Sequence, residues 1–238
     1  MKPQLSDPSL LKSASYVAGR WTTGAADKLA VTNPATGEIV AEVGTVDRSG
    51  TEEAIAAAHE AMMSWRAVPA KTRAQVLRRW FDLMMTHQED LGMIMTTEQG
   101  KTLAESRGEV AYGAAFMEWF GEQAKRIDGD VIPAPSHDKR VICIKQPVGV
   151  VAAITPWNFP NAMIARKAAP ALAAGCSIVI KPASETPLSA LAMAELAERA
   201  GVPSGVLSVV VGASSEIGPA LTDSCLLYTS DAADEWVR

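Results

Sequence analysis

The second half of the chain alternates short apolar runs with helical patterns, and this alternation limits the fold more than any other feature. From Val150 onward the apolar runs are VVAAI, SIVI and VLSVVV, and helical spacing follows each of them. Strands that alternate with helices in this way pair as a parallel sheet with right-handed crossovers. Residues 149–224 are therefore predicted to form an α/β fold, a Rossmann-type parallel sheet with flanking helices.

The preceding residues predict two hairpins separated by helices. Within residues 1–127, the segment 29–43 alternates apolar and polar residues around an Asn-Pro-Ala-Thr-Gly turn, which favours a β-hairpin. The next segment predicts an amphipathic helix with Ser49 or Thr51 as its N-cap, followed by three more helices. Residues 128–148 alternate again and predict a second hairpin.

Charge and hydropathy indicate a soluble protein that binds small molecules. The net charge is -5, and the Lys and Arg residues are scattered without a basic run. This balance argues against nucleic acid and anionic membranes as partners. The N-terminus has no apolar core of signal-peptide length, and the longest apolar run, 168–180, is too short to span a bilayer. The expected location is the cytoplasm.

The cysteines predict neither a disulfide framework nor a metal site. Cys143, Cys176 and Cys225 are far apart and lack Cys-x-x-Cys spacing, so they are expected to be reduced thiols, with no bound metal. Cys176 lies in an apolar run and is expected to be buried. A hydrolase that uses Cys176 is disfavoured, because none of the three histidines has an evident pairing with it.

The loop after the first predicted parallel strand, Thr155-Pro156-Trp157-Asn158-Phe159-Pro160, is stiffened by two prolines. Ligands of open parallel sheets bind outside the carboxyl ends of the strands, where this loop lies. The prolines restrict the backbone around Asn158, so its side-chain N–H can be preset toward a carbonyl oxygen. Such a donor stabilises an oxyanion by on the order of 3 kcal/mol. The alternative is an Asx turn that caps the following helix.

The loops after the next two strands contain candidates for cofactor binding. In KPASETP, Lys181 can hydrogen-bond ribose hydroxyls or pair with phosphate; the alternative is a solvated loop lysine. In GASSEIG, Gly212 and Gly218 surround a helix start suited to anion binding. The chain contains no Gly-x-Gly-x-x-Gly, so the usual Rossmann motif is absent.

These segments together resemble a known family, the aldehyde dehydrogenases, and within it the succinate-semialdehyde dehydrogenase branch. The resemblance runs from about Tyr16 to Thr222 and includes EQGKTLAESRGEV, KQPVGVVAAITPWNFP, IVIKPASETPLSAL and ELAERAGVPSGVLSVVVG. It implies an aldehyde-dehydrogenase-like fold in which 1–127 and 149–224 belong to the cofactor-binding domain. It also implies that 128–148 is a bridging hairpin through which members form dimers or tetramers.

The resemblance implies roles for individual residues. Asn158 matches the amide that stabilises the oxyanion. The implied cofactor-binding residues are Ile154, Thr155, Pro156, Trp157, Lys181, Pro182, Ala183, Ser184, Gly212 and Gly218. Ser184 stands where many NAD-preferring members have a glutamate that would repel a 2'-phosphate, so the implied cofactor is NADP, with NAD as an alternative.

The implied substrate is a small semialdehyde, succinate semialdehyde or a relative such as glutarate semialdehyde, which is oxidised to the carboxylic acid. Arg166 matches an arginine that pairs with the substrate carboxylate; the alternative is an arginine on a helix surface. Phe116 and Phe120 resemble the aromatic wall of the substrate tunnel, and core packing is the alternative for both.

The nucleophilic cysteine and the general-base glutamate of the family lie further along its pattern than this chain extends. The chain is therefore expected to be a truncated N-terminal part, without the catalytic domain and without turnover of its own. Residues 225–238, which include CLLYTSDAADE, resemble a translated sequencing adapter; the alternative is a short acidic helix. The alternative function for the whole chain is a non-enzymatic dinucleotide-binding module.

Overall fold

The computed structural model describes residues 3–23 and 27–227, and strands and helices account for most of them. The strands are β1 (Ser15–Val17), β2 (Arg20–Thr22), β3 (Lys28–Thr32), β4 (Ile39–Gly44), β5 (Asp130–Ile132), β6 (Val141–Cys143), β7 (Val150–Ile154), β8 (Ser177–Lys181) and β9 (Leu207–Val209). The α-helices are α1 (Arg48–Trp65), α2 (Ala70–Thr86), α3 (Gln88–Gln99), α4 (Leu103–Gln123), α5 (Ala162–Ala174), α6 (Pro187–Ala200) and α7 (Ser214–Thr222). The predicted alternation of strands and helices after residue 149 is confirmed.

The central sheet has five strands in the order β2-β1-β9-β8-β7. Strands β7, β8 and β9 are parallel neighbours, as the sequence predicts. The sheet is nevertheless mixed, because the hairpin β1–β2 adds to it antiparallel, with Tyr16 opposite Val209. Sequence periodicity did not predict this pairing, since the two strands are short and join partners from opposite ends of the chain.

The helix α1 begins at a different residue from the one predicted. Asp47 is its N-cap, and its side-chain oxygen accepts a hydrogen bond from the N–H of Gly50 at 2.9 Å. The predictions of Ser49 and Thr51 are wrong, because both lie inside the helix. Thr51 is buried there, and its hydroxyl donates to the carbonyl of Asp47. A carboxylate is an equally good N-cap, so composition alone does not separate these neighbours.

Glycines end the two helices that connect the parallel strands. Gly175 and Gly201 follow α5 and α6, each with φ near +91°. Glycine adopts this left-handed conformation without the steric cost that a Cβ atom imposes. The chain therefore turns back after each helix, and the carboxyl ends of β7, β8 and β9 lie along one edge of the sheet.

The predicted hairpin within 128–148 is present as strands β5 and β6, which form a two-stranded sheet of their own. Its apolar side chains face outward: Val131 is 77% exposed, Ile142 68% and Ile144 69%. Exposed apolar side chains on neighbouring strands are typical of a surface that another chain covers. The role of this hairpin in oligomer formation remains a prediction.

The end of the described chain packs near the sheet. Leu227 is buried and forms a single β-bridge with Val150. The remainder of the segment interpreted as adapter-derived, residues 228–238, lies outside the described residues.

The cysteines lie apart from one another. Cys176 is buried in the core, as predicted, whereas Cys143 and Cys225 are exposed. Within residues 3–23 and 27–227, no three His, Cys, Asp or Glu side chains are grouped so that they could hold a metal ion. In the same residues no helix has both the length and the apolar character needed to cross a membrane.

Candidate functional site

The loops after β7 and β8 meet at the carboxyl edge of the sheet. The N–H of Thr155 donates to the carbonyl of Lys181 at 3.0 Å, which joins the two loops directly. Thr155 is buried, but the neighbouring Ile154 and Trp157 are 52% and 55% exposed. Large apolar side chains beside a strand end offer a surface on which a flat ring can pack.

Lys181 is a buried cation whose ammonium group makes a single hydrogen bond in the described residues. Its side chain is in the protein interior, so the alternative of a solvated loop lysine is wrong. In the part of the chain that the structure describes, Nζ donates one hydrogen bond, to the carbonyl of Pro182 at 3.3 Å. Burial lowers the pKa of Lys181. An ammonium group has three donors, so two remain for the hydroxyls or phosphate of a ligand.

Ser184 lies on the same loop as Lys181. Of the other predicted residues there, Pro182 is buried and Ala183 is half-buried. Ser184 and Trp157 line one cavity of about 430 Å³, together with residues of β3 and the end of α3. The structure thus brings the predicted residues of two separate loops to one place.

Asn158 is exposed, and its side chain makes no hydrogen bond within the described residues. Helix α5 begins four residues later, at Ala162, and its N-cap is Asn161. The structure therefore contains no Asx turn in which Asn158 caps this helix. Its amide N–H groups are free to donate to a ligand.

The N-terminus of α5 is instead capped by a side chain from another helix. Glu109 of α4 is buried, and its Oε1 accepts hydrogen bonds from the N–H groups of Asn161 at 2.9 Å and Ala162 at 3.1 Å. A carboxylate at this position satisfies orphan donors and complements the helix dipole. No local sequence pattern indicates this cap, because Glu109 is 52 residues away from Asn161.

Helix α6 is capped in the same way by Glu98 of α3. Its two carboxylate oxygens accept from the N–H groups of Leu188 at 2.7 Å and Ser189 at 2.8 Å. Thr186 is the N-cap residue of α6, but its side chain makes no capping hydrogen bond. Protein carboxylates therefore occupy the starts of both α5 and α6, so these backbone N–H groups are not free to bind an anion.

Burial raises the pKa of Glu98 to about 7, although the hydrogen bonds from Leu188 and Ser189 act in the opposite direction. A carboxyl group whose pKa rises on folding binds its proton more tightly in the folded chain. Its contribution to stability is complete below the unfolded pKa, and it falls as the pH rises through the folded pKa.

We expect the free energy of unfolding of the chain to fall by about 3 kcal/mol between pH 4.5 and pH 7 through Glu98 alone. Urea denaturation at pH 5 and pH 8 measures this change. The variant Glu98→Gln does not titrate, so the difference between wild type and variant isolates the contribution of Glu98. A difference that stays constant with pH, or that grows in favour of the wild type as the pH rises, would contradict the expectation.

Gly212 and Gly218, the two glycines predicted after β9, lie in different structures: Gly212 in the loop and Gly218 in α7. A Cβ atom on Gly212 would lie 2.4 Å from the carbonyl oxygen of Val46, so this glycine is needed for close packing of two backbones. Gly218 lies inside α7 rather than at its start, with open space around it. In the described residues, no side chain caps the first N–H groups of α7.

Arg166 and Phe116 are brought together across α5 and α4. The guanidinium carbon of Arg166 lies 5.6 Å from the centre of the Phe116 ring, and no carboxylate pairs with it among the described residues. Tyr112, which the sequence analysis missed, packs edge-on against Phe116 at 5.0 Å. Tyr112 lies one helical turn before Phe116 on α4, and this spacing could have predicted that the two rings are in contact. Phe116 and Phe120 are both half-buried and pack against the core, as the alternative interpretation of each predicts.

Comparison with known proteins gives consistent matches along almost the whole chain. The sequence profile of the aldehyde dehydrogenase family matches residues 21–226. A glutarate-semialdehyde dehydrogenase of Pseudomonas aeruginosa is 59% identical over 222 residues, which are 93% of this chain and 46% of that protein. The NADP(+)-dependent succinate-semialdehyde dehydrogenase of Escherichia coli is 54% identical, over 94% of this chain and 47% of that protein.

Solved structures agree with these relatives. The crystal structure of succinate-semialdehyde dehydrogenase from Burkholderia pseudomallei has a TM-score of 0.93 and 51% identity. It covers 98% of this chain, which in turn covers 50% of that chain. The chain thus spans about half the length of the proteins that it matches.

Proposed function

The chain belongs to the aldehyde dehydrogenase family, and from this premise we propose that it is the N-terminal half of an NAD(P)-dependent semialdehyde dehydrogenase. The proposed reaction is the oxidation of succinate semialdehyde, or of a close relative such as glutarate semialdehyde, to the carboxylic acid. One observation carries the proposal: the free amide of Asn158 lies in the loop just before α5, and the guanidinium of Arg166, which has no carboxylate partner in the described residues, lies on the surface of that helix.

The two groups suit the two ends of such a substrate. As a thiolate from the second half of the enzyme attacks the aldehyde carbon, negative charge develops on the aldehyde oxygen. The Asn158 amide donates a hydrogen bond to this oxygen and stabilises the charge. Arg166 pairs with the distant carboxylate, and a planar guanidinium does so through two parallel hydrogen bonds. Cys176 is not the nucleophile, because it is buried in the core.

The residues around Lys181 and Ser184 fit NADP as the cofactor. Lys181 has unused donors for the adenosine ribose, and Ser184 leaves room for a 2'-phosphate without repelling it. Trp157 and Ile154 offer an apolar surface beside Asn158. A bound NADP would supply the acceptor for the hydride that leaves the substrate carbon. A non-enzymatic dinucleotide-binding module would use Lys181 and Ser184 equally well, but it would have no use for Asn158 or Arg166.

The β5–β6 hairpin is proposed to join two copies of the complete enzyme, as a dimer or as part of a tetramer. Support comes from the outward apolar side chains of Val131, Ile142 and Ile144, which a second copy would cover. Burial of apolar area is the main favourable term in such an association.

The test is to compare succinate semialdehyde with butanal, which has the same length without the carboxylate, in the complete enzyme. For the variant Arg166→Met we expect kcat/KM for succinate semialdehyde to fall by roughly ten- to a hundredfold, because a charged hydrogen-bonded pair is lost. The value for butanal should change little. Initial rates of NADPH formation give both constants.

Equal losses for the two aldehydes would mean that Arg166 does not bind the carboxylate. No NADPH formation from any aldehyde by the complete wild-type enzyme would favour the binding module instead.

A further inference from the structure

Lys101, in the loop between α3 and α4, contacts the loop 155–160 that contains Asn158. We call this proline-stiffened loop the corner. The Nζ of Lys101 donates to the backbone carbonyl of Asn158 at 2.9 Å and lies 4.5 Å from the centre of the Phe159 ring. The same ammonium group forms an ion pair with Glu109. The side chain of Lys101 is only 13% exposed, so these contacts exclude most of the surrounding water.

Glu109 completes the connection from the opposite side. Its Oε2 accepts from Lys101, while its Oε1 accepts from the N–H groups of Asn161 and Ala162 at the start of α5. One carboxylate therefore contacts both Lys101, which binds the backbone of Asn158, and the first N–H groups of α5. Lys101 and Glu109, both largely buried, therefore hold the backbone at the carbonyl of Asn158 and at the N–H groups of Asn161 and Ala162.

Lys101 and Glu109 are suited to hold the backbone around Asn158 in position and not to take part in the reaction themselves. Neither Lys101 nor Glu109 contacts the side chain of Asn158, which stays exposed and free. Their hydrogen bonds are charge-assisted and therefore stronger than those between neutral groups. The loop that carries Lys101 is itself ordered, because Thr102 and Glu105 form a capping box at the start of α4.

We propose that Lys101 and Glu109 are positioning residues that hold the Asn158 amide in place for oxyanion stabilisation. The proposal rests on the function proposed above, in which Asn158 is the catalytic donor. A preset donor stabilises the transition state because it pays no reorganisation during the reaction. Loss of the support lets the corner move, and a displacement of about 1 Å at such a site can cost on the order of a hundredfold in rate.

The test uses the variants Lys101→Met and Lys101→Arg in the complete enzyme, each in the wild-type background and combined with Asn158→Ala. We expect Lys101→Met to lower kcat by roughly tenfold or more, with KM and the NADP dissociation constant near their wild-type values. In the Asn158→Ala background the same change should lower kcat no further, because the group being positioned is gone. Lys101→Arg keeps the charge and the donors and should recover part of the rate.

Arg107→Met is the matched control. Arg107 lies on α4, as Glu109 does, and pairs with Glu89 at 2.6 Å, but this exposed pair does not touch the corner. Its replacement should leave kcat unchanged. If Lys101→Met does not fold, Glu109→Gln replaces it, since the amide oxygen keeps an acceptor for α5 while the ion pair with Lys101 is lost.

An unchanged kcat in Lys101→Met would overturn the proposal. So would equal losses in the wild-type and Asn158→Ala backgrounds, because Lys101 would then act independently of Asn158. If Asn158→Ala alone leaves the rate unchanged, the proposed function fails first, and this result is distinguishable because it does not involve Lys101.

Discussion

We expect the replacement of Asn158 with alanine in the complete enzyme to lower kcat by about a hundredfold or more, which is the loss measured when one oxyanion donor is removed from comparable sites. The dissociation constant for NADP stays near its wild-type value, because the Asn158 side chain contributes no hydrogen bond to the loop that holds Lys181. The fold is kept for the same reason, since α5 is capped by Glu109 rather than by Asn158. Steady-state rates and isothermal titration with NADP measure the two quantities.

The control is Asn158→Asp, which has nearly the same shape but places an acceptor, and a negative charge, where the oxyanion forms. Its kcat should be at least as low as that of the alanine variant, because the negative carboxylate repels the negative oxyanion that forms beside it. A rate close to wild type in both variants would mean that another group stabilises the oxyanion. A parallel loss of NADP binding would assign Asn158 to the cofactor site instead.

Local sequence patterns were sufficient for the architecture around this site. The alternation of apolar runs and helical spacing predicts β7, β8 and β9 and the helices after them, because each pattern depends on neighbouring residues only. The two prolines of the corner likewise predict a stiff loop. Both features are read within a few residues of the chain.

The groups that hold the site in place could not be predicted in this way. Glu98 and Glu109 lie on amphipathic helices, where a glutamate normally indicates a solvent-exposed face. Both are buried, because they cap helices that follow 90 and 52 residues later in the chain. Their role depends on how α3 and α4 pack against α5 and α6, and no local pattern records that packing. The same holds for β1 and its pairing with β9.

The second large effect concerns the choice of cofactor. For the variant Ser184→Glu we expect the dissociation constant for NADP to rise by about a hundredfold or more, because a like-charge contact with the 2'-phosphate costs several kcal/mol. Binding of NAD should be kept or improved, since a carboxylate accepts a hydrogen bond from the ribose 2'-hydroxyl. Titration of the complete enzyme with each cofactor gives the two constants.

Two controls test whether the effect on NADP binding comes from the added charge at residue 184, from the lost serine hydroxyl, or from a different residue facing the phosphate. Ser184→Ala removes the hydroxyl without adding charge, so its effect on NADP should be much smaller than that of glutamate. The neighbouring Glu185 is already negative and exposed, and Glu185→Gln tests whether that residue faces the phosphate instead. If Glu185→Gln strengthens NADP binding and Ser184→Glu weakens both cofactors equally, the 2'-position lies beside Glu185. The basis for preferring NADP would then be lost, because a carboxylate would already stand where the extra phosphate must bind.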